Sequence, residues 1–198
     1  MNECTFSSDR IYRYVLRCWC APVVAESVST GPRAAWDSDR AQHSKTPALH
    51  YPTQLVSRTR TKLRIAWIGL NPSTADEVTL DQTLSTVCRY SSKWGFSEVV
   101  MLNLFAFRAT DPRDLKRATD PVGPDNDEHL LAEIGNVDRV IACWGDQGKF
   151  LGRDRRVADL LKVSFECLLR NRTGAPHHPL YLKSRIRPKP FRLDQIRN

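Results

Sequence analysis

Four polar positions close apolar runs in this chain, and they offer amides, an imidazole and an indole rather than a cluster of acids. The first is Gly69-Leu70-Asn71-Pro72-Ser73-Thr74. The others are Asn103, Trp144-Gly145 and His177-His178-Pro179. Amides orient a ligand or a water by hydrogen bonding and do not titrate in the useful range, whereas imidazole does. Ligands of open α/β sheets gather at the carboxyl ends of the strands, so these positions are where such groups would act. Each also has a purely structural account. Asn71-Pro72 reads as a turn, Ser73 or Thr74 as a helix cap, Asn103 as a strand-end bridge to backbone and His178 as a satisfied core histidine. For any one position alone the structural account is preferred.

The elements that must position these groups are legible as apolar patterns. Ile11–Cys20 is rich in aromatic and β-branched residues and reads as a strand, at a sheet edge because Arg13 and Arg17 interrupt it. Residues 21–61 carry Pro22, Pro32, Pro47 and Pro52 and no sustained period, which predicts a long loop or insertion. Leu63–Leu70, Val99–Leu104 and Val140–Trp144 are short buried strands. Between the first two, Leu84, Val87, Cys88, Ser91 and Trp94 share one helical face, with Asp81 near its start and Gly95 at its stop. Helices over Asp127–Ile134 and around Val157, Leu160 and Leu161 follow, then a short strand at Cys167–Leu169. This alternation predicts an α/β fold with a mostly parallel central sheet covered by helices on both faces.

The chain has 198 residues, 41% hydrophobic and 26% charged, the proportions of an ordinary globular protein. It lacks any apolar run approaching the roughly 18 to 20 residues needed to cross a bilayer, and its start lacks a secretory pattern. A cytoplasmic protein without a membrane partner is expected. Thirty Lys and Arg against 22 Asp and Glu leave a net charge of +8, a balance that favours polyanions. From Arg170 onward eight cations face only Asp194, either as a solvated tail, in which Pro188 and Pro190 discourage regular structure, or as a phosphate-gripping arm. None of the six cysteines forms a C-x-x-C pair, so reduced thiols are expected and neither metal nor cofactor is. Cys18 and Cys20 alternate with Trp19 and share one face of a strand, while Cys88 and Cys143 sit in apolar patterns where sulfur acts as a small hydrophobe. The spacing does not favour an iron–sulfur cluster.

The four positions in this order resemble the motifs of the uracil-DNA glycosylase superfamily. Gly69-Leu70-Asn71-Pro72 is similar to its Gly-x-(Asp/Asn)-Pro motif, and Val100-Met101-Leu102-Asn103 to the strand whose asparagine reads the base edge. Cys143-Trp144-Gly145 resembles its Leu-Trp-Gly strand end, and His178-Pro179-Leu180 its His-Pro-Ser loop. The runs from Leu70 to Asp76, from Asn103 to Pro112 and from His178 to Leu182 look closer still to a bacterial and phage domain family of unknown function. The resemblance implies a three-layer α/β/α sandwich forming a single glycosylase-like domain over 1–198, with 21–61 as an insertion and 183–198 as a basic tail.

It also implies an activity: hydrolysis of an N-glycosidic bond to a nucleotide extracted from the DNA stack, by a monofunctional enzyme that needs no cofactor. Asn71 would orient the water, His178 would stabilise the negative charge developing on the departing base, and Asn103 would read its Watson–Crick edge. Asp76 or Asp81 is the candidate for a missing carboxylate, with a helix N-terminal charge as the alternative. Phe105 and Trp144 are candidate stacking surfaces, with core packing as the alternative. Thr74, His177, Arg172, Lys183, Arg185 and Arg187 are candidate DNA contacts.

Two departures from the superfamily pattern bear on substrate. Ser73 stands where uracil-specific members carry a tyrosine that excludes a 5-substituent, so a 5-modified pyrimidine is expected, modified phage DNA being one source. Leu180-Tyr181 replaces the Ser-Pro continuation, which leaves no wedge for the duplex identified. Two other readings stay open: a non-catalytic reader of modified bases, and a hydrolase of free nucleosides or nucleotides.

Overall fold

The computed structural model describes residues 2–20, 62–73, 82–183 and 185–196. Its described strands form one seven-stranded mixed sheet in the order β1-β2-β4-β3-β5-β6-β7. The ranges are β1 Asn2–Phe6, β2 Arg13–Trp19, β3 Arg64–Gly69, β4 Glu98–Asn103, β5 Arg139–Ala142, β6 Phe165–Cys167 and β7 Lys189–Phe191. Strands β4, β3, β5 and β6 run parallel, and antiparallel pairings add β2 and β1 at one side and β7 at the other. The fold is therefore α/β, with a parallel centre and antiparallel flanks.

Side-chain alternation divides the core. Ile65, Trp67, Val99, Met101, Ile141 and Cys143 point to one face, where helix α1 (Gln82–Lys93) packs Leu84, Val87 and Tyr90 against them. Ala66, Ile68, Val100, Leu102, Val140 and Ala142 point to the other, covered by α2 (Pro112–Arg117), α3 (Asn126–Ile134) and α4 (Arg153–Leu161) through Leu115, Leu130, Ile134, Val157 and Leu161. Both faces of the central strands are thus buried, which is why they read as continuous apolar runs rather than alternating ones. On the α1 face Trp67, Tyr90 and Trp94 stack with centroids 5.6–6.3 Å apart. The Trp67 Nε1–H donates to Ser91 Oγ at 3.0 Å, so a polar group inside the core is satisfied.

Several expectations change. The strand predicted over Ile11–Cys20 is β2, and it is interior: β1 pairs outside it. Its arginines had suggested an edge, but Arg13 is buried and Arg17 is held by Glu3 and Glu133. The C-terminal stretch is not wholly a tail, since Lys189–Phe191 adds an edge strand to β6 and buries Phe191. Pro190 is tolerated there because an edge strand need not donate on its outer side. Helix α2 was not anticipated, although Asp111-Pro112 carries the signature: Asp111 accepts from the Arg113 N–H at 2.8 Å with proline at the first turn. The insertion predicted over 21–61 and the helix start at Asp81 lie outside the described residues. No helix among the described residues is long and apolar enough to cross a membrane.

Candidate functional site

The parallel strands β3, β4 and β5 all end at one rim, and the backbone ladder runs past their last residues. Leu104 and Phe105 N–H donate to the carbonyls of Gly69 and Leu70 at 3.0 and 2.9 Å, and Cys143 N–H to that of Ile68 at 2.9 Å. The loops that follow begin side by side. They enclose a cavity of about 250 Å³ lined by Gly69, Asn71, Ser73, Asn103, Trp144 and His178 among others.

Asn71 is fixed by its own amide. Its Nδ2 donates to Ala109 O at 2.8 Å and to Pro72 O at 3.1 Å, while Ala109 N–H donates back to Pro72 O at 3.1 Å. Both amide hydrogens are thereby used on carbonyls, and Oδ1 is left as the acceptor the side chain offers a ligand. Asn103 is 2% exposed, and its main-chain carbonyl accepts from Asn126 Nδ2 at 3.3 Å. The neighbouring Leu104 carbonyl accepts from Asn126 Nδ2 at 3.1 Å and from Arg153 Nε at 2.7 Å. Arg153 is itself buried and paired with Asp127. These second-rank groups pin the end of β4 and leave the Asn103 side chain for the cavity. Gly69 makes room for it, because a Cβ there would stand 2.9 Å from Asn103 Oδ1 and 2.7 Å from Met101 Cε. The glycine of the motif is thus explained by close approach rather than by backbone conformation.

The last motif is hung from two strand ends. Gly145 N–H donates to Pro176 O at 2.9 Å and His177 N–H to Leu169 O at 2.8 Å. His178 is exposed at the cavity, and its Nδ1 accepts from Leu180 N–H at 3.4 Å. With Nδ1 accepting, a neutral ring at His178 carries its proton on Nε2. His177 does not line the cavity; its Nδ1–H donates to the His178 carbonyl at 2.5 Å.

Trp144 lines the cavity but is 2% exposed, with its ring edge-on to Phe165 and Phe191 at 5.9 Å each. Gly148 approaches so closely that a Cβ would meet the indole at 2.1 Å. The indole Nε1–H is buried without a hydrogen-bond partner among the described residues. Phe105 requires a correction as a stacking candidate. It is fully buried on the α3 and α4 face against Phe150 at 5.6 Å and does not line the cavity. The backbone bond from Phe105 N–H to Leu70 O extends the ladder one residue past Leu104, carrying the ring into the core. Thr74, Asp76 and Asp81 lie outside the described residues. Arg172, Lys183, Arg185 and Arg187 are exposed on the surface.

Sequence reasoning missed two residues. Arg13, treated as an interruption of a strand, is 4% exposed and lines the cavity, a buried guanidinium that only the pairing of β2 with β4 could reveal. Tyr181, three residues beyond His178, is 94% exposed with φ of +63°. A non-glycine residue in the left-handed region is strained, and here the strain displays an aromatic ring in solvent. The described lining contains no carboxylate. Nor is a thiol nucleophile at hand, because burial pushes Cys143 and Cys167 up and keeps them protonated. The arrangement offers hydrogen-bond donors and acceptors, a guanidinium and an imidazole, which suit recognition and the stabilisation of negative charge.

No curated protein and no solved structure matches the chain. Residues 54–180, which include Gly69, Asn71, Asn103, Trp144 and His178, match the family model described as "Protein of unknown function (DUF1643)", and the chain belongs to that family.

Proposed function

We propose that this protein is a monofunctional DNA glycosylase with a uracil-DNA glycosylase-like three-layer sandwich, acting on a flipped 5-substituted pyrimidine and leaving an abasic site. One observation carries the reading: Asn71, Asn103 and His178, drawn from three separate chain segments, line the same cavity of about 250 Å³. That volume is below the roughly 300–1,000 Å³ of sites for drug-sized ligands, which suits a single base.

Breaking an N-glycosidic bond puts positive charge on the sugar and negative charge on the departing base. His178 Nε2–H donates to the base oxygen that gains charge, and the Arg13 guanidinium adds favourable potential from the cavity wall. The Asn103 amide, with a donor and an acceptor side by side, pairs with the base edge. Asn71 Oδ1, locked by the two carbonyls its amide serves, holds the water. Lacking a titrating carboxylate among the described lining residues, this chemistry relies on stabilising the leaving group rather than on a strong base. Ser73 at the wall leaves space for a 5-substituent. The exposed Arg172, Lys183, Arg185 and Arg187 supply phosphate contacts, and DNA is the partner.

The same lack of a carboxylate favours one second reading, a reader that binds a modified base without excising it. Incubation with genomic DNAs carrying different modifications, followed by mass spectrometry of released bases, separates the two. Release of a 5-modified pyrimidine that is abolished by Asn71→Ala and His178→Ala supports the glycosylase. Binding without release supports the reader, and release unaffected by either change overturns the site.

A further inference from the structure

A second constellation lies at the opposite end of the parallel strands. Cys18 on β2 is in register with Val99 on β4, four residues before Asn103. At about 3.3 Å per residue the two places are roughly 13 Å apart. Cys18 and Cys20 flank the exposed Trp19 and share a face, and α1 lays Cys88 on that face. The three sulfurs lie within 4.8 Å of one another, and Cys88 Sγ is 3.0 Å from Cys18 Sγ. Cys18 is buried while Cys20 and Cys88 are half-buried.

We propose that Cys18, Cys20 and Cys88 form a binding site for a thiophilic d¹⁰ cation, of which Zn²⁺ is the probe. Thiolates bound to one zinc at about 2.3 Å sit roughly 3.8 Å apart, a spacing the three sulfurs reach by small rotations. A disulfide would use two sulfurs and leave the third without a role. No histidine or carboxylate joins the group among the described residues, so the donor set is wholly soft and does not suit Mg²⁺ or Ca²⁺. On binding, three S–H protons pass to water and three S–metal bonds form, and the half-exposed side of Cys20 and Cys88 leaves solvent access for a further ligand. The cation would tie the β1–β2 ribbon to α1. Cys18 and Cys20 fall outside the family-matched residues 54–180, and Cys88 falls inside them.

The full chain, purified under reductant and freed of metal by chelation, is titrated with Zn²⁺ by calorimetry and with Co²⁺ by sulfur-to-metal charge-transfer absorption. About one ion should bind per chain, more tightly as pH rises because bound thiols must lose protons. At a free Zn²⁺ concentration a hundredfold above Kd, the melting midpoint should rise by roughly 5–10 °C. Cys20→Ser and Cys88→Ser should each weaken binding by more than about 100-fold, whereas Cys167→Ser should leave it intact. Cys20 lies at a strand end, so its variant keeps the test open if Cys88→Ser fails to fold. Absence of metal uptake by the folded chain, undiminished uptake by Cys20→Ser, or bound iron in place of a d¹⁰ ion would each overturn the proposal. So would a Cys18–Cys88 disulfide mapped in protein kept under reductant. None of these readouts uses base excision, so the site stands or falls separately from the glycosylase reading.

Discussion

The two ends of the parallel strands bond their polar side chains in different ways. At the amino ends, Arg64 donates to Glu98 at 2.9 Å, to Glu133 at 3.4 Å and to the Asn136 carbonyl at 2.9 Å. Its main-chain N–H is taken by Asp138 at 2.8 Å, and Arg17 joins through Glu133 and Glu3. Charge answers charge there, although Arg64 Nε is buried without a hydrogen-bond partner among the described residues. At the carboxyl ends, Asn71 and the end of β4 are tied to main-chain groups, and the tied atoms leave Asn71 Oδ1, the Asn103 amide and the His178 ring facing a cavity. A polar cluster bonded mostly within itself holds a fold together. One whose orientation is fixed at the wall of a cavity has the makings of a site.

Substitutions at the two ends should therefore separate cleanly. The largest effect is expected at the cavity: Asn71→Ala or His178→Ala should slow base release by about 100- to 1,000-fold in single-turnover abasic-site assays, His178→Ala with the melting midpoint hardly moved and Asn71→Ala with a loss of about 1–2 kcal/mol from the two carbonyls it leaves unbonded. If either unfolds the chain instead, the contrast between the ends collapses. Gly69→Ala comes next, since its Cβ must displace Asn103 Oδ1 or Met101 Cε; a loss of about 1–3 kcal/mol in urea unfolding should accompany the loss of release. At the amino ends, Glu133→Ala leaves Arg17 and Arg64 short of a partner in a half-buried place. It should cost about 1–2 kcal/mol of stability and leave the rate of release unchanged. The smallest effect belongs to Tyr181, whose ring touches solvent almost everywhere. Tyr181→Ala should leave stability within about 0.5 kcal/mol of the parent. If the ring enters the duplex, release from double-stranded DNA should fall severalfold and release from single strands should not, as paired kinetics on matched oligonucleotides would show.

The apolar runs at Arg64–Gly69, Glu98–Asn103 and Arg139–Ala142 were legible because a strand buried on both faces has no polar alternation to confuse it. Helix α1 was legible for the complementary reason, a single apolar stripe, although Tyr90 was left out of it and proves fully buried. Arginines misled the reading of β2, since a charged residue in a strand signals an edge only when nothing covers or pairs with it. The edge strand at Lys189–Phe191 was hidden by its prolines and cations. Phe105 shows the limit at the site itself: one residue separates the cavity from the core beyond a strand end, and pattern alone does not say where the chain turns.

By itself the sequence determined the order of the central strands and of helices α1, α3 and α4, and the motifs that end those strands, because burial on two faces and helical periodicity are written in local composition. The tertiary structure decided which of those ends meet. The cavity gathers Asn71, Asn103 and His178 from segments far apart in sequence, and it admits Arg13 from an antiparallel strand. The three sulfurs, which match no spacing rule, meet because α1 crosses the end of β2. Convergence of this kind depends on sheet order and on strand direction. Neither is encoded in any single segment, since each is settled by how all the apolar faces are buried at once.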